Sequence, residues 1–173
     1  KPQGISLKGK KVGVVGYGDI GRNTAKRLIA SDMEVIVFDP YLKNEPLDSN
    51  IELSVWPKHI EKLDFIVINC ALSSSSYHLL NSEAFNLMKE EVRIVNVGRG
   101  PIIDENALIS ALKSGKVHSA ALDVFEEEPL NLNSPLRKFE NCIFGSHNAS
   151  NTIDANNEVN KVILKKLNKI LGE

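Results

Sequence analysis

Short apolar runs alternate along the chain with stretches whose apolar residues recur every three or four positions. The first pattern reads as buried strand and the second as one-sided helix. Strands are expected at Lys11–Val15, Glu34–Phe38, 65–69, 92–97, 119–122 and 142–144. Between them, residues 20–30 place Gly21, Thr24, Ala25, Leu28 and Ile29 on one helical face. Asn81 and Ser82 can cap a helix to about Met88. Asp104 is a good N-cap for a helix over Glu105–Ser114, which Gly115 ends. A closing helix over 152–171 carries Val159, Val162, Ile163, Leu167, Ile170 and Leu171 along one stripe.

The polar stretches read as connections. Residues 41–54 hold Asn44, Pro46, Asp48, Ser49 and Asn50 and are expected to be loop. Residues 57–62 suggest a short helix, 73–76 a serine loop, 98–101 a glycine turn and 126–134 an acidic, proline-broken loop. No internal repeat is evident. The alternation implies an α/β fold, a doubly wound parallel sheet with helices on both faces. In such sheets ligands bind outside the carboxyl ends of the strands, so functional residues should follow strands directly.

Composition adds little beyond exclusions. With 173 residues, 42% apolar and 25% charged, the chain is long enough for a single sizeable core. A net charge of −1 gives no reason to expect nucleic acid or an anionic membrane as partner. No apolar run approaches a membrane span, and the polar opening has no signal-peptide core. Cys70 and Cys142 lack C-x-x-C spacing and read as buried free thiols of a reducing, cytoplasmic setting. No cluster has metal-ligand spacing.

The chemistry-bearing residues do follow strands. After the first comes Gly16-x-Gly18-x-x-Gly21, opening a helix. Such a turn brings helix N–H groups and the positive helix end to a dinucleotide pyrophosphate, although glycine turns also arise for steric reasons. Asp39 follows the second strand, where a carboxylate can accept hydrogen bonds from ribose hydroxyls and repel a 2′-phosphate, which favours NAD over NADP. Arg99, between Gly98 and Gly100, could grip a carboxylate through two parallel hydrogen bonds or simply pair with a surface acid. Asp123 and the acidic run Glu126–Glu128 come next, with Pro129 pinning Glu128. His147 follows the last strand and could serve as general acid and base near neutral pH. His59, His78 and His118 lie in ordinary surroundings.

Four segments, GYGDIGR, NVGRGPIIDENAL, ALDVFEEEP and SHNASNT, occur in that order. Together they resemble the signature segments of the D-isomer-specific 2-hydroxyacid dehydrogenases, and among these the phosphoglycerate-oxidising members most. The resemblance implies a Rossmann-like NAD-binding domain over residues 1–150. Residues 151–173 would form a helix returning toward a substrate-binding lobe, itself built mostly from chain preceding the cofactor domain and absent here. Arg99, Glu128 and His147 would be the catalytic set. Arg99 would orient the substrate carboxylate and carbonyl, His147 would exchange a proton with the hydroxyl, and Glu128 would hold the imidazole.

Gly16, Gly18, Ile20, Gly21, Arg22, Asp39, Ser76 and Asp123 would contact NAD, Asp123 at the nicotinamide carboxamide. A 2-hydroxy or 2-keto acid would be the partner, 3-phosphoglycerate first, in a homodimer formed through this domain. Ser146, Asn148 and Ala71 depart from residues common in the family, without removing a reacting group. An NADH-sensing binding protein, similar to corepressors of the same fold, and a domain that binds nothing remain open.

Overall fold

A computed structural model describes residues 4–42 and 47–172. The described residues form β1 (Lys11–Val15), α1 (Asp19–Ile29), β2 (Glu34–Phe38), β3 (Ile51–Ser54), β4 (Phe65–Ile68), α2 (Ser82–Leu87), β5 (Val92–Asn96), α3 (Glu105–Ser114), β6 (Val117–Leu122), β7 (Ile143–Phe144) and α4 (Ile153–Leu171). Short 3₁₀ turns lie at Ile60–Lys62, Gly100–Ile102 and Pro135–Lys138.

The seven strands make one all-parallel sheet in the order β3-β2-β1-β4-β5-β6-β7. Strand side chains alternate between two cores. Val12, Val14, Val35 and Val37 pack with Ala25, Leu28 and Ile29 of α1. Ile36, Phe38, Ile66, Ile68, Ile94 and Leu122 pack on the opposite face with Phe85 of α2 and Leu108 of α3. Strands covered on both faces explain why these runs read as continuously apolar. Asn81 and Asp104 accept hydrogen bonds from the N–H groups of Ala84 and Ala107, as capping residues do, and Gly115 closes α3 at φ +82°.

Three expectations change. Part of the stretch read as loop is a strand: β3 pairs with β2 from Val35–Ile51 to Phe38–Ser54. It lies at the sheet edge and is only half apolar, so turn-forming neighbours masked it. Asn44 and Pro46, cited for that loop, fall outside the described residues, as does the adjacent Lys43. The two thiols are half-buried rather than buried, and both are free. β6 starts two residues earlier than expected. No helix among the described residues is long and apolar enough to cross a membrane.

Candidate active site

The sheet order turns back at β1 and β4, which lie side by side while their neighbours run outward in opposite directions. Loops leaving such a pair splay apart and open a crevice beyond their carboxyl ends. A cavity of about 540 Å³ lies there. Gly16 and Gly18 after β1, Asp39 after β2, and Asn69 and Cys70 after β4 line it. Trp56, Tyr41, Leu79 and the Ser73, Ser75 and Ser76 loop complete the walls.

The three glycines of the turn answer to different needs. Gly16 has φ +89°, and a Cβ there would press on the Cys70 backbone. A Cβ on Gly21 would overlap the Gly16 carbonyl, so α1 could not sit against β1. Gly18 is under no such constraint: nothing lies within 4 Å of the position its Cβ would take, and its φ of −72° is ordinary. The fold does not require this glycine, and the open space before it suits a ligand that approaches the backbone closely.

Asp39 is drawn into the turn. One carboxylate oxygen accepts the Tyr17 N–H at 2.7 Å and the other the Tyr41 N–H at 2.9 Å. Asp39 lines the cavity, and each of its carboxylate oxygens can accept a further hydrogen bond. The Asn69 amide is buried, and neither its nitrogen nor its oxygen has a partner among the described residues. Burial pushes the Cys70 thiol up to about 11, with the Asp39 charge adding to it against the Cys70 backbone N–H. Ser76 turns its hydroxyl inward, donating to the Ala71 carbonyl and accepting the Ser73 N–H, both at 2.8 Å. Ile20 is exposed at the first turn of α1, and the Arg22 guanidinium lies 4.7 Å over the Tyr17 ring.

The second half of the site follows β5, β6 and β7. Buried Asn96 ends β5, its side chain donating to the Arg99 carbonyl and accepting the Gly98 N–H, which fixes the turn that presents Arg99. A Cβ on Gly100 would overlap the Phe125 carbonyl, so this turn lies directly against the loop after β6. That loop is tied at several points. The Glu126 N–H donates to Glu105 at 2.7 Å, His78 pairs with Glu126 at 2.5 Å, and the Phe125 N–H donates to Glu128 at 3.1 Å.

His147 Nδ1 meets Glu128 Oε2 at 2.7 Å. Burial would raise the Glu128 carboxyl, but the hydrogen bonds from His147 and the Phe125 N–H, with the charges of His147 and Arg99, hold it below its ordinary value. The structure thus brings Arg99, Glu128 and His147 to one sheet edge. Gly16, Gly18, Asp39 and Ser76 line the adjoining cavity, and Asp123 lies beneath the His147 loop. Among the described residues no group of His, Cys, Asp or Glu is arranged to hold a metal.

A family model described as the NAD binding domain of D-isomer specific 2-hydroxyacid dehydrogenases matches residues 1–149. The chain belongs to that family. A glyoxylate reductase of Thermofilum pendens is 40% identical over 170 residues, which cover 97% of this chain and 50% of that protein. A D-3-phosphoglycerate dehydrogenase of Methanocaldococcus jannaschii is 39% identical over 171 residues, covering 98% and 32%. The crystal structure of a glyoxylate reductase from Paecilomyes thermophila superposes with a TM-score of 0.88 at 32% identity, over 96% of this chain and 50% of that one. The chain therefore spans half or less of the length of these D-2-hydroxyacid dehydrogenases.

Several residues of the candidate site carry no mark as site residues in the sequence reading above. Trp56, Asn69 and Cys70 line the cavity, and Asn96 carries the Arg99 turn. Trp56 and Cys70 give no polar signal in sequence. Asn96 did carry one: an amide ending a strand, just before V-G-R-G, is placed to bond the turn that follows.

Proposed function

We propose that this domain binds NAD and that the enzyme to which it belongs transfers hydride between a D-2-hydroxy acid and NAD. The observation that carries this is the 2.7 Å contact between His147 and Glu128, on the edge that also presents Arg99 and adjoins the glycine turn. Bound NAD supplies the hydride acceptor. The residues of the chain do the rest. Gly18 and the free N–H groups at the start of α1 receive the pyrophosphate, beside Ile20 and Arg22. Asp39 accepts from the ribose hydroxyls and disfavours a 2′-phosphate, so NAD is preferred to NADP.

Arg99 holds the substrate carboxylate and places positive charge where the carbonyl oxygen gains negative charge. His147 takes the hydroxyl proton at Nε2, and Glu128 holds Nδ1–H and stabilises the imidazolium that forms. Ser76 shapes the loop over the cofactor, and Asp123 lies at the nicotinamide end. Helix α4 runs back toward a substrate lobe, and two copies pair through this domain.

3-Phosphoglycerate is the first substrate, supported by the likeness to D-3-phosphoglycerate dehydrogenase. The likeness to glyoxylate reductases makes glycolate the comparison. The full-length enzyme should convert NAD to NADH with 3-phosphoglycerate faster than with glycolate or D-lactate. Absence of NADH with every D-2-hydroxy acid would sink the reading. Partner binding that depends on NADH, without turnover, would put an NADH sensor in its place.

A further inference from the structure

One carboxylate organises the loop that bears His147. The Asn148 N–H donates to Asp123 Oδ1 at 3.2 Å and the Ala149 N–H to Oδ2 at 2.8 Å. The His147 N–H donates to the Asp123 main-chain carbonyl at 2.8 Å. Three consecutive N–H groups therefore converge on a single residue. Gly145, two residues before the histidine, leaves room for this arrangement, since a Cβ there would overlap Asp123 Oδ1. His147 itself has φ +56°, a left-handed backbone uncommon for a non-glycine residue. Its ring is nearly half exposed, so packing does not fix it. Glu128 holds the ring, and Asp123 holds the backbone on either side of the Cα.

We propose that Asp123 is a positioning residue for His147: its carboxylate gathers the N–H groups of residues 148 and 149 and so aims the imidazole at Glu128 and at the reacting oxygen. This deepens the hydride-transfer reading and rests on it for the role of His147. It also shifts the weight of Asp123 from the cofactor to the proton-transferring loop. An ionised carboxylate suits the task, because it can accept one N–H at each oxygen in a charge-assisted hydrogen bond. An asparagine turns one of those acceptors into a donor that faces another donor.

The test uses D123N, with G145A as an independent route that keeps the carboxylate but displaces it. G145A carries the test if D123N does not fold. NMR of the cofactor-free chain reads the hydrogen-bonded imidazole proton of His147 and the carboxyl titration of Glu128. Fluorescence of Trp56 reads NAD affinity. In both variants the imidazole proton signal should be lost and the Glu128 titration should rise toward the ordinary carboxylate range, with any loss of NAD affinity well below the loss of kcat. In the full-length enzyme, kcat should fall by about 10²-fold, the scale of a misplaced reacting group, with KM for the hydroxy acid nearly unchanged.

Unchanged His147 and Glu128 signals with weakened NAD affinity would overturn the proposal and leave Asp123 a cofactor contact. Loss of the imidazole signal in a protein whose parent oxidises no D-2-hydroxy acid would uphold the positioning role and reject the hydride-transfer reading instead.

Discussion

Two side chains on the same sheet edge are pulled in opposite directions. Cys70 is pushed up to about 11 by burial, and the charge of Asp39 adds to the effect. Its thiol therefore stays protonated at neutral pH and should be a poor nucleophile. Cys142 is also raised by its burial. A disulfide reagent at about pH 8 should react with the folded chain far more slowly than with the urea-unfolded chain, and NAD should slow Cys70 further. Reaction at the rate of an unfolded thiol would contradict the burial.

Glu128 is held low. Its folded value lies below the unfolded one, so its contribution to stability is present above the ordinary glutamate range and lost as pH falls through the depressed value. The gap in urea midpoint between the parent and E128Q should therefore close as pH drops from about 6 to about 3. A gap that widens toward acid would show that the carboxylate is not held by His147. In the full-length enzyme, H147A should lower kcat by about 10²- to 10⁴-fold, the usual worth of a positioned acid–base group, while NAD binding persists.

Among the elements, the turn between β1 and α1 separates fold from function most cleanly. Gly21 is required by contact with Gly16, whereas Gly18 faces open space. G21A should destabilise the domain by about 1–3 kcal/mol, the usual cost of overpacking, or prevent folding. G18A should keep the parent's thermal midpoint and lose NAD affinity. A G18A variant that binds NAD as the parent does would remove the pyrophosphate from this turn.

This turn was legible in sequence because its spacing, the apolar strand before it and the helix after it agree. The caps Asn81 and Asp104 and the stop at Gly115 were legible for the same reason: local chemistry alone decides them. Strand β3 was not, because only its pairing with β2 makes it a strand. Glu52 and Leu53 face solvent, and Asp48, Ser49 and Asn50 precede it. Trp56 was missed on similar grounds. An aromatic residue in a connection has no periodicity to report, and its place in the cavity is set by an edge contact with Phe38, 5.3 Å between ring centroids. Arg99, Glu128 and His147 stand out in sequence as separate candidates, each following a strand. Their meeting at one edge comes from the order in which the strands assemble.

At the scale of the whole molecule, α4 stands apart from both cores. None of its residues is buried, and its large apolar side chains remain 46–81% exposed. The last residue along the chain that packs against either core is Phe144 of β7. A helix of 19 residues without a packed face rests on its own hydrogen bonds, the Thr152 cap and local pairs such as Glu158–Lys161, which in water makes a marginal helix. Deleting residues 153–173 should therefore leave the unfolding free energy within about 0.5 kcal/mol of the parent, as for a surface change, and leave NAD affinity unaltered. Amide exchange should be fast throughout α4 in the intact chain and slow in α3, whose apolar face is buried. In the full-length enzyme the same amides should be protected, because the proposed substrate lobe would cover the stripe of Val159, Val162, Ile163 and Leu167. A deletion that lowers stability by several kcal/mol would mean that α4 packs on the sheet. Equal exchange in the chain and the full-length enzyme would mean that the lobe closes over the site by another route.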